Sequence, residues 1–221
     1  NLIEEYMWVC AAEFADSSGA DIINSSLGYT TFDDTLQNHR YAEMDGKTTP
    51  ISIGAGIACI KGIIVVNSAG NSGSSSWHFI GAPADNFDVL SVGAVDENEE
   101  FASFSSYGPN ADGAVKPNVV AQGKNTVIIS SSDTLRTGNG TSFSSPITAG
   151  MVACLWQAFP TKTSQEIKQM MVDLRENPVT EIDGSKVNYV FDYQASTCSN
   201  LLTGKVNKLD IPKSNVLIFN S

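Results

Sequence analysis

The stretch "NGTSFSSPITAG", Asn139 to Gly150, sets a small hydroxyl residue, Ser142, just ahead of a long apolar run. A serine at a helix N-terminus faces unpaired backbone N–H groups and the positive end of the helix dipole. From there its oxygen can attack a carbonyl carbon while nearby donors receive the oxyanion. Gly140 lets a substrate backbone come close. Simple capping by Thr141 or Ser142 would explain the same residues, so the chemical reading depends on what else the chain supplies. Asn71 is a second candidate. It sits in the glycine-rich turn of "GIIVVNSAGNSG", where a side-chain amide can project into a cleft as an oxyanion donor. Standing alone it would be a turn asparagine. In "INSSLG" the backbone of Ser26, Leu27 and Gly28 can hold an extended peptide like an added strand, or be an ordinary strand end.

The elements that must position these residues alternate. Apolar residues at Ile3, Tyr6, Met7, Cys10, Phe14 and Ala15 have the spacing of an amphipathic helix, ended by Gly19. Asp21–Gly28 reads as a buried strand. A polar loop with Asp33, Asp34 and Asp45 leads to a second apolar helix near Ile51–Cys59. Strands follow in Gly62–Gly73 and Asp88–Val95. "FASFSSYGPN" and "KPNVVAQG" read as turn-rich connections. Thr141 to Ala158 forms a helix apolar on all sides, hence a buried one. Thr163 and Glu166 have capping-box spacing before a last helix carrying Ile167, Met170, Met171 and Leu174. Beyond Ser196 the pattern dissolves into a polar tail with one strand-like run, "NVLIF". Apolar strands alternating with helices imply an α/β fold with a mostly parallel sheet covered on both faces.

With 221 residues, 42% of them apolar, the chain is long enough for a proper core. Its formal net charge of −11 disfavours nucleic acid and anionic membranes as partners. No run of apolar residues is long enough to span a bilayer, and residues 1–20 lack the features of a signal peptide. Cys10, Cys59 and Cys154 sit among apolar residues of predicted helices and read as buried free thiols, with one disulfide among the four cysteines left open. "GAGIAC" fails the dinucleotide-binding pattern, and "GTSFS" is not the nucleophile elbow of an α/β-hydrolase.

"GTSFSSPITAG" resembles the nucleophile motif of the subtilisin-like serine peptidases, the subtilases. "VVNSAGNSG" is similar to their oxyanion-hole segment, which places that role on Asn71. "INSSLG" resembles the substrate-pairing strand, here Ser26, Leu27 and Gly28. "GAPADNFDVLSVGAV", "FASFSSYGP" and "KPNVVAQG" follow in the family's order. The resemblance covers about residues 1–195, a partial subtilase catalytic domain, with 196–221 a tail or the start of a linker. It implies a three-layer subtilisin-like fold whose N-terminal strands are missing from this chain, and a serine endopeptidase forming an acyl-enzyme on Ser142. Ser68, Ala69 and Gly70 would wall the pocket for the residue before the scissile bond. Peptide or protein substrates and an extracellular location are implied as well. No cofactor is required. Structural calcium fits the family, with Asp33, Asp34 and Asp45 offering oxygen ligands but matching no fixed calcium loop. The family's terminal Gly-Tyr-Gly pattern is replaced by "KVNYVFDYQAS", which implies local remodelling there.

A serine hydroxyl needs a base. Subtilases draw theirs from a His-Gly-Thr-His segment oriented by an aspartate in an Asp-Thr-Gly or Asp-Ser-Gly segment, both ahead of the serine. Neither segment is present here; the histidines are His39 and His78. Three accounts stay open. In the favoured one the chain is the C-terminal part of a subtilase and an N-terminal segment carries Asp and His. Alternatively it is a catalytically degenerate binding module, or His78 is an unusual base. On the first account the edge of the Asp21–Leu27 strand is expected to lack its neighbour and to expose an apolar face.

Overall fold

The computed structural model describes residues 1–173 and the strand segments 181–182, 185–186 and 216–219. In chain order the elements are α1 (Ile3–Ser17), β1 (Ile22–Ser25), α2 (Pro50–Ile60), β2 (Ile64–Ser68), β3 (Leu90–Val95), β4 (Val119–Gln122), β5 (Thr126–Ile129), β6 (Leu135–Gly138), α3 (Thr141–Ala158) and α4 (Ser164–Asp173). The short pair β7 (Glu181–Ile182) and β8 (Ser185–Lys186) and the strand β9 (Val216–Phe219) follow. The central sheet has the order β4-β3-β2-β1-β9, and every pairing is parallel. A parallel sheet must be covered on both faces, and alternation along each strand supplies both. Ile23 and Val65 point toward α1 and α2, where Trp8, Ala12, Ile51, Ala55 and Cys59 complete one core. Ile22, Ile64, Val66, Leu90, Val92 and Val119 point the other way, toward Ala149, Val152 and Leu155 of α3 and Ile167 and Met171 of α4.

The α/β fold and its three layers stand as expected. Several local expectations do not. "KPNVVAQG" is more than a turn-rich connection: Val119–Gln122 is strand β4, paired with β3 from Val92↔Val119 to Val95↔Gln122. The buried face of α1 is Glu5, Trp8, Ala12 and Ala15, while Ile3, Tyr6, Met7 and Phe14 are exposed. The helical period was legible, but the face turned inward is the one that carries Glu5, Trp8 and two alanines, and α2 packs closely against this helix. A Cβ on Gly54 of α2 would stand 2.6 Å from a methyl of Val9. Cys59 is a buried thiol, whereas Cys10 is exposed and Cys154 partly so. Helix α3 is not enclosed on all sides. It buries a face of small residues (Thr141, Ser144, Ser145, Thr148, Ala149) with Val152 and Leu155, and leaves Phe143 and Ile147 half-buried. The Thr163–Glu166 capping box forms, with the Glu166 amide donating to Thr163 Oγ1 at 3.3 Å and the Thr163 amide to Glu166 Oε2 at 2.9 Å.

The outer edge of β1 is not bare. Strand β9, the "NVLIF" run, pairs with it in parallel from Ile22↔Val216 to Ser25↔Phe219. Leu174 and "KVNYVFDYQAS" fall largely outside the described residues, as does Cys198.

The loop from β1 to α2 is pinned to α1 by a buried carboxylate. Glu5, fully buried, accepts from the Ile51 amide (3.2 Å) and lies 2.5 Å from His39 Nε2. The hydrogen bond to Glu5 raises the His39 pKa above its ordinary 6.5; burial opposes it, and the charges of Glu5, Glu43 and Asp85 add to the rise. A raised histidine stabilises the fold fully below its unfolded pKa and loses that contribution as pH climbs through the folded one. Thermal melts should therefore show a stability decline beginning above pH 6.5 that His39→Gln flattens. Gly54→Ala, which drives a methyl into Val9, should cost about 1–3 kcal/mol in denaturant unfolding.

Candidate active site

The C-terminal ends of β1 and β2 and the N-terminus of α3 converge on one cleft of about 360 Å³. Ligands of parallel sheets gather at these strand ends. Ser142, the second residue of α3, is partly buried in its wall. Gly140 precedes the helix with φ +155° and no side-chain cap, so neither Thr141 nor Ser142 serves as N-cap. The orphan donor of the helix finds its partner elsewhere. Asn71 Oδ1 accepts from the Thr141 amide (2.9 Å) and from Thr141 Oγ1 (3.1 Å). Because a backbone N–H can only donate, the Asn71 amide must present its oxygen there, and Nδ2 is left to point toward the cleft. It stands 3.6 Å from where a Cβ on Gly140 would lie. Thr141 Oγ1 also accepts from the Gly70 amide at 3.2 Å, tying the β2 loop to the helix a second time.

The β1 side is fastened as firmly. Ser26 Oγ donates to the Ser142 carbonyl at 3.0 Å, and Ser145 Oγ to Asn24 Oδ1 at 2.8 Å. Ser142 Oγ reaches the Ser26 carbonyl only at 3.5 Å, too long to hold its proton firmly. Beyond Ser26, the Leu27 carbonyl accepts from Asn67 Nδ2 (3.0 Å), and Tyr29 exchanges backbone bonds with Ala82 (2.9 and 3.2 Å). Among the described residues nothing bonds the N–H or C=O of exposed Gly28, so both are open to an extended ligand.

Ser26, Leu27, Gly28, Ser68, Gly70, Asn71 and Ser142 all line the cleft. Ala69 does not. Its side chain packs with Ile80 and Ala84, turned off the wall. Gly70, at φ +109°, also lies 2.9 Å (from a would-be Cβ) from Ser106 Oγ. The cleft is also lined by Tyr29, Thr30, Phe79 and Glu4, which the sequence did not mark, and by Thr141, read from the sequence only as a possible cap and here the double anchor. Neither histidine is among the lining residues. His78 (φ +41°) has its ring 4.0 Å from that of Phe79 and 5.3 Å from that of Tyr107, and His39 is held by Glu5. Asp34 caps a short helical turn, and Asp45 accepts from Lys47, Thr48 N and Thr48 Oγ1. Among the described residues no group of three or more acids, cysteines or histidines is gathered as metal ligands.

A serine on a helix N-terminus, a side-chain amide directed beside it and an open backbone edge are the parts of an acyl-transfer site on a parallel α/β scaffold. The model of the subtilase family matches residues 3–189, and the chain belongs to that family. It is 34% identical over 170 residues to Subtilisin DY of Bacillus licheniformis, covering 76% of this chain and 54% of the relative. It is also 34% identical over 188 residues to a thermophilic serine proteinase of Bacillus sp. (strain AK1), covering 83% and 39%. The chain thus spans about half or less of the length of these relatives. The structure of the patellamide maturation protease PatA overlays with a TM-score of 0.66 at 23% identity, covering 89% of this chain and 68% of that one, which supports the fold.

Replacing Thr141 by valine keeps its shape but removes one hydroxyl that serves both Asn71 and Gly70. The expected cost is about 1–2 kcal/mol in denaturant unfolding, together with averaging of the Asn71 side-chain amide signals in NMR spectra.

Proposed function

We propose that this chain is the serine-bearing part of a subtilisin-like endopeptidase. The reading rests above all on the Asn71 amide, whose oxygen is held by Thr141 so that its N–H₂ faces the neighbourhood of Ser142. Ser142 Oγ attacks the peptide carbonyl carbon and passes its proton to a base. Asn71 Nδ2 and the Ser142 amide hold the oxyanion. The C–N bond then breaks, the amine leaves with that proton, and water hydrolyses the acyl-enzyme. The open edge at Ser26–Gly28 aligns the peptide, and Ser68 and Gly70 wall the pocket for the residue before the scissile bond.

The base and its orienting aspartate come from an N-terminal segment outside this chain. Two observations support that: neither histidine lines the cleft, and Asn24 Nδ2, fully buried on β1, has no partner among the described residues. The substrates are peptides or proteins, the location extracellular, and nucleic acid and membrane are not partners. No helix among the described residues is long and apolar enough to cross a membrane.

Loss of the base from such a serine costs roughly a millionfold in turnover. The chain alone should therefore label negligibly with a fluorophosphonate probe, by peptide mapping at Ser142, and label rapidly once the N-terminal segment is added. Rapid labelling of the isolated chain would overturn the absent-base account, and His78→Ala would then show whether His78 serves. Failure to label even with the segment would replace the peptidase with a subtilase fold that only binds.

A further inference from the structure

The parallel register of β1 and β2 ends at the pair Ser25↔Asn67. Past that pair the two chains become walls of the cleft, Ser26–Gly28 from one and Ser68 and Gly70 from the other. Among the described residues no backbone hydrogen bond joins 26–28 to 68–70. Parting the chains there opens the cleft, but it takes the ladder partners from the last carbonyls. One side chain replaces them. Asn67 Nδ2 donates to the Leu27 carbonyl at 3.0 Å and to the Ser68 carbonyl at 2.8 Å. A carbonyl can only accept, so the two bonds fix the amide with its nitrogen toward both walls. Asn67 is fully buried and is not among the lining residues. It grips each wall from outside the cleft.

The bond to Leu27 also aims its neighbour. The Leu27 C=O and the Gly28 N–H belong to one planar trans peptide unit and point in opposite directions. With the carbonyl held by Asn67, the Gly28 N–H is turned away from the sheet, and exposed Gly28 lines the cleft. The carbonyl before it, that of Ser26, looks instead toward Ser142 Oγ at 3.5 Å. Consecutive carbonyls thus face different partners, and the Asn67 amide is what holds the second of them back. Its own Oδ1 meets no partner among the described residues. A buried acceptor left unpaired costs stability. For cohesion alone the residue is a poor choice. An amide whose two N–H groups must span Leu27 and Ser68 has no freedom to place its oxygen better.

We propose that Asn67 is a positioning residue for the substrate, aiming the Gly28 N–H into the cleft and holding Ser26–Gly28 in fixed relation to Ser68. The proposal rests on the reading of the cleft as a peptide site. It is tested on the full 221-residue chain with a fluorescein-labelled neutral decapeptide of alternating threonine and alanine. Affinity is read by anisotropy and hydrogen exchange at the Gly28 amide by NMR. Bound peptide should slow Gly28 exchange about fivefold in the native chain. Asn67→Leu, close in shape but without a donor, should weaken binding about five- to tenfold and leave Gly28 unprotected at saturating peptide. Asn67→Ser, which can serve only one of the two carbonyls, should fall between, and it carries the test if the leucine variant does not fold. Ser52→Ala deletes a buried bond to Asp85 away from the cleft and should lower stability while leaving affinity and Gly28 protection unchanged. Binding to the native chain without Gly28 protection, protection that survives both Asn67 substitutions, or an equal loss in Ser52→Ala overturns the inference and leaves the cleft a peptide site. No binding of the peptide to the native chain overturns both.

Discussion

A helix N-terminus leaves backbone donors without partners, and in this protein the amide at Thr141 is met by Oδ1 of Asn71. That bond fixes three things together. It satisfies the helix, it joins the β2 loop to α3, and by occupying the oxygen of the Asn71 side chain it commits Nδ2 to the cleft. An asparagine free to flip would present oxygen or nitrogen to a developing oxyanion with little bias, and oxygen there would repel it. Stabilisation of a transition state depends on donors already aimed before charge develops. The supporting contacts serve the same end: the Thr141 hydroxyl touches both Asn71 and Gly70, and neither can shift without disturbing the other.

The sheet holds this arrangement still. Helix α3 crosses β1 to β4 through small side chains, which let its axis come close to the strands. Gly123, just after β4, shows how close. A Cβ there would stand 2.2 Å from Ser144 Oγ and 2.8 Å from the Gly140 carbonyl, and its own carbonyl accepts from the Gly140 amide at 2.7 Å. Ser142 is thus mounted between strand ends rather than on a loop. Interiors at such density deform little, so a displacement at β4 is passed to Ser142.

Much of this was legible in the residues, for identifiable reasons. The span of α3, the ends of β1 and β2, and the gathering of Ser142, Asn71 and Ser26–Gly28 at one cleft rest on local order in the chain, which a sequence displays directly. The buried face of α1 depends instead on what packs against it, with Gly54 of α2 meeting Val9 across 45 positions of chain. Val119–Gln122 looked like a connection because a proline and an asparagine precede it, yet pairing with β3 decides its state. Ala69 sits between two cleft residues and still turns inward, since neighbours at a strand end point to opposite sides. Thr141 stood out only as a possible cap. Its link to Asn71, 70 positions away, is not announced by its residue type.

The state of the Ser142 hydroxyl ties these strands together. Its nearest acceptor, the Ser26 carbonyl at 3.5 Å, is too distant to keep the proton in one place. A hydroxyl bound tightly to that carbonyl would have to break the bond before a base could take its proton, and the cost would be added to the barrier. On the proposed reading, an oxygen held this loosely beside an Asn71 amide already turned would need only a base within reach. That division of labour has a physical logic. The donors must be positioned to a fraction of an ångström, which the β1, β2 and α3 contacts do within one rigid body. A base must only approach the exposed side of Ser142, a looser demand that a separate segment docking on this scaffold can meet.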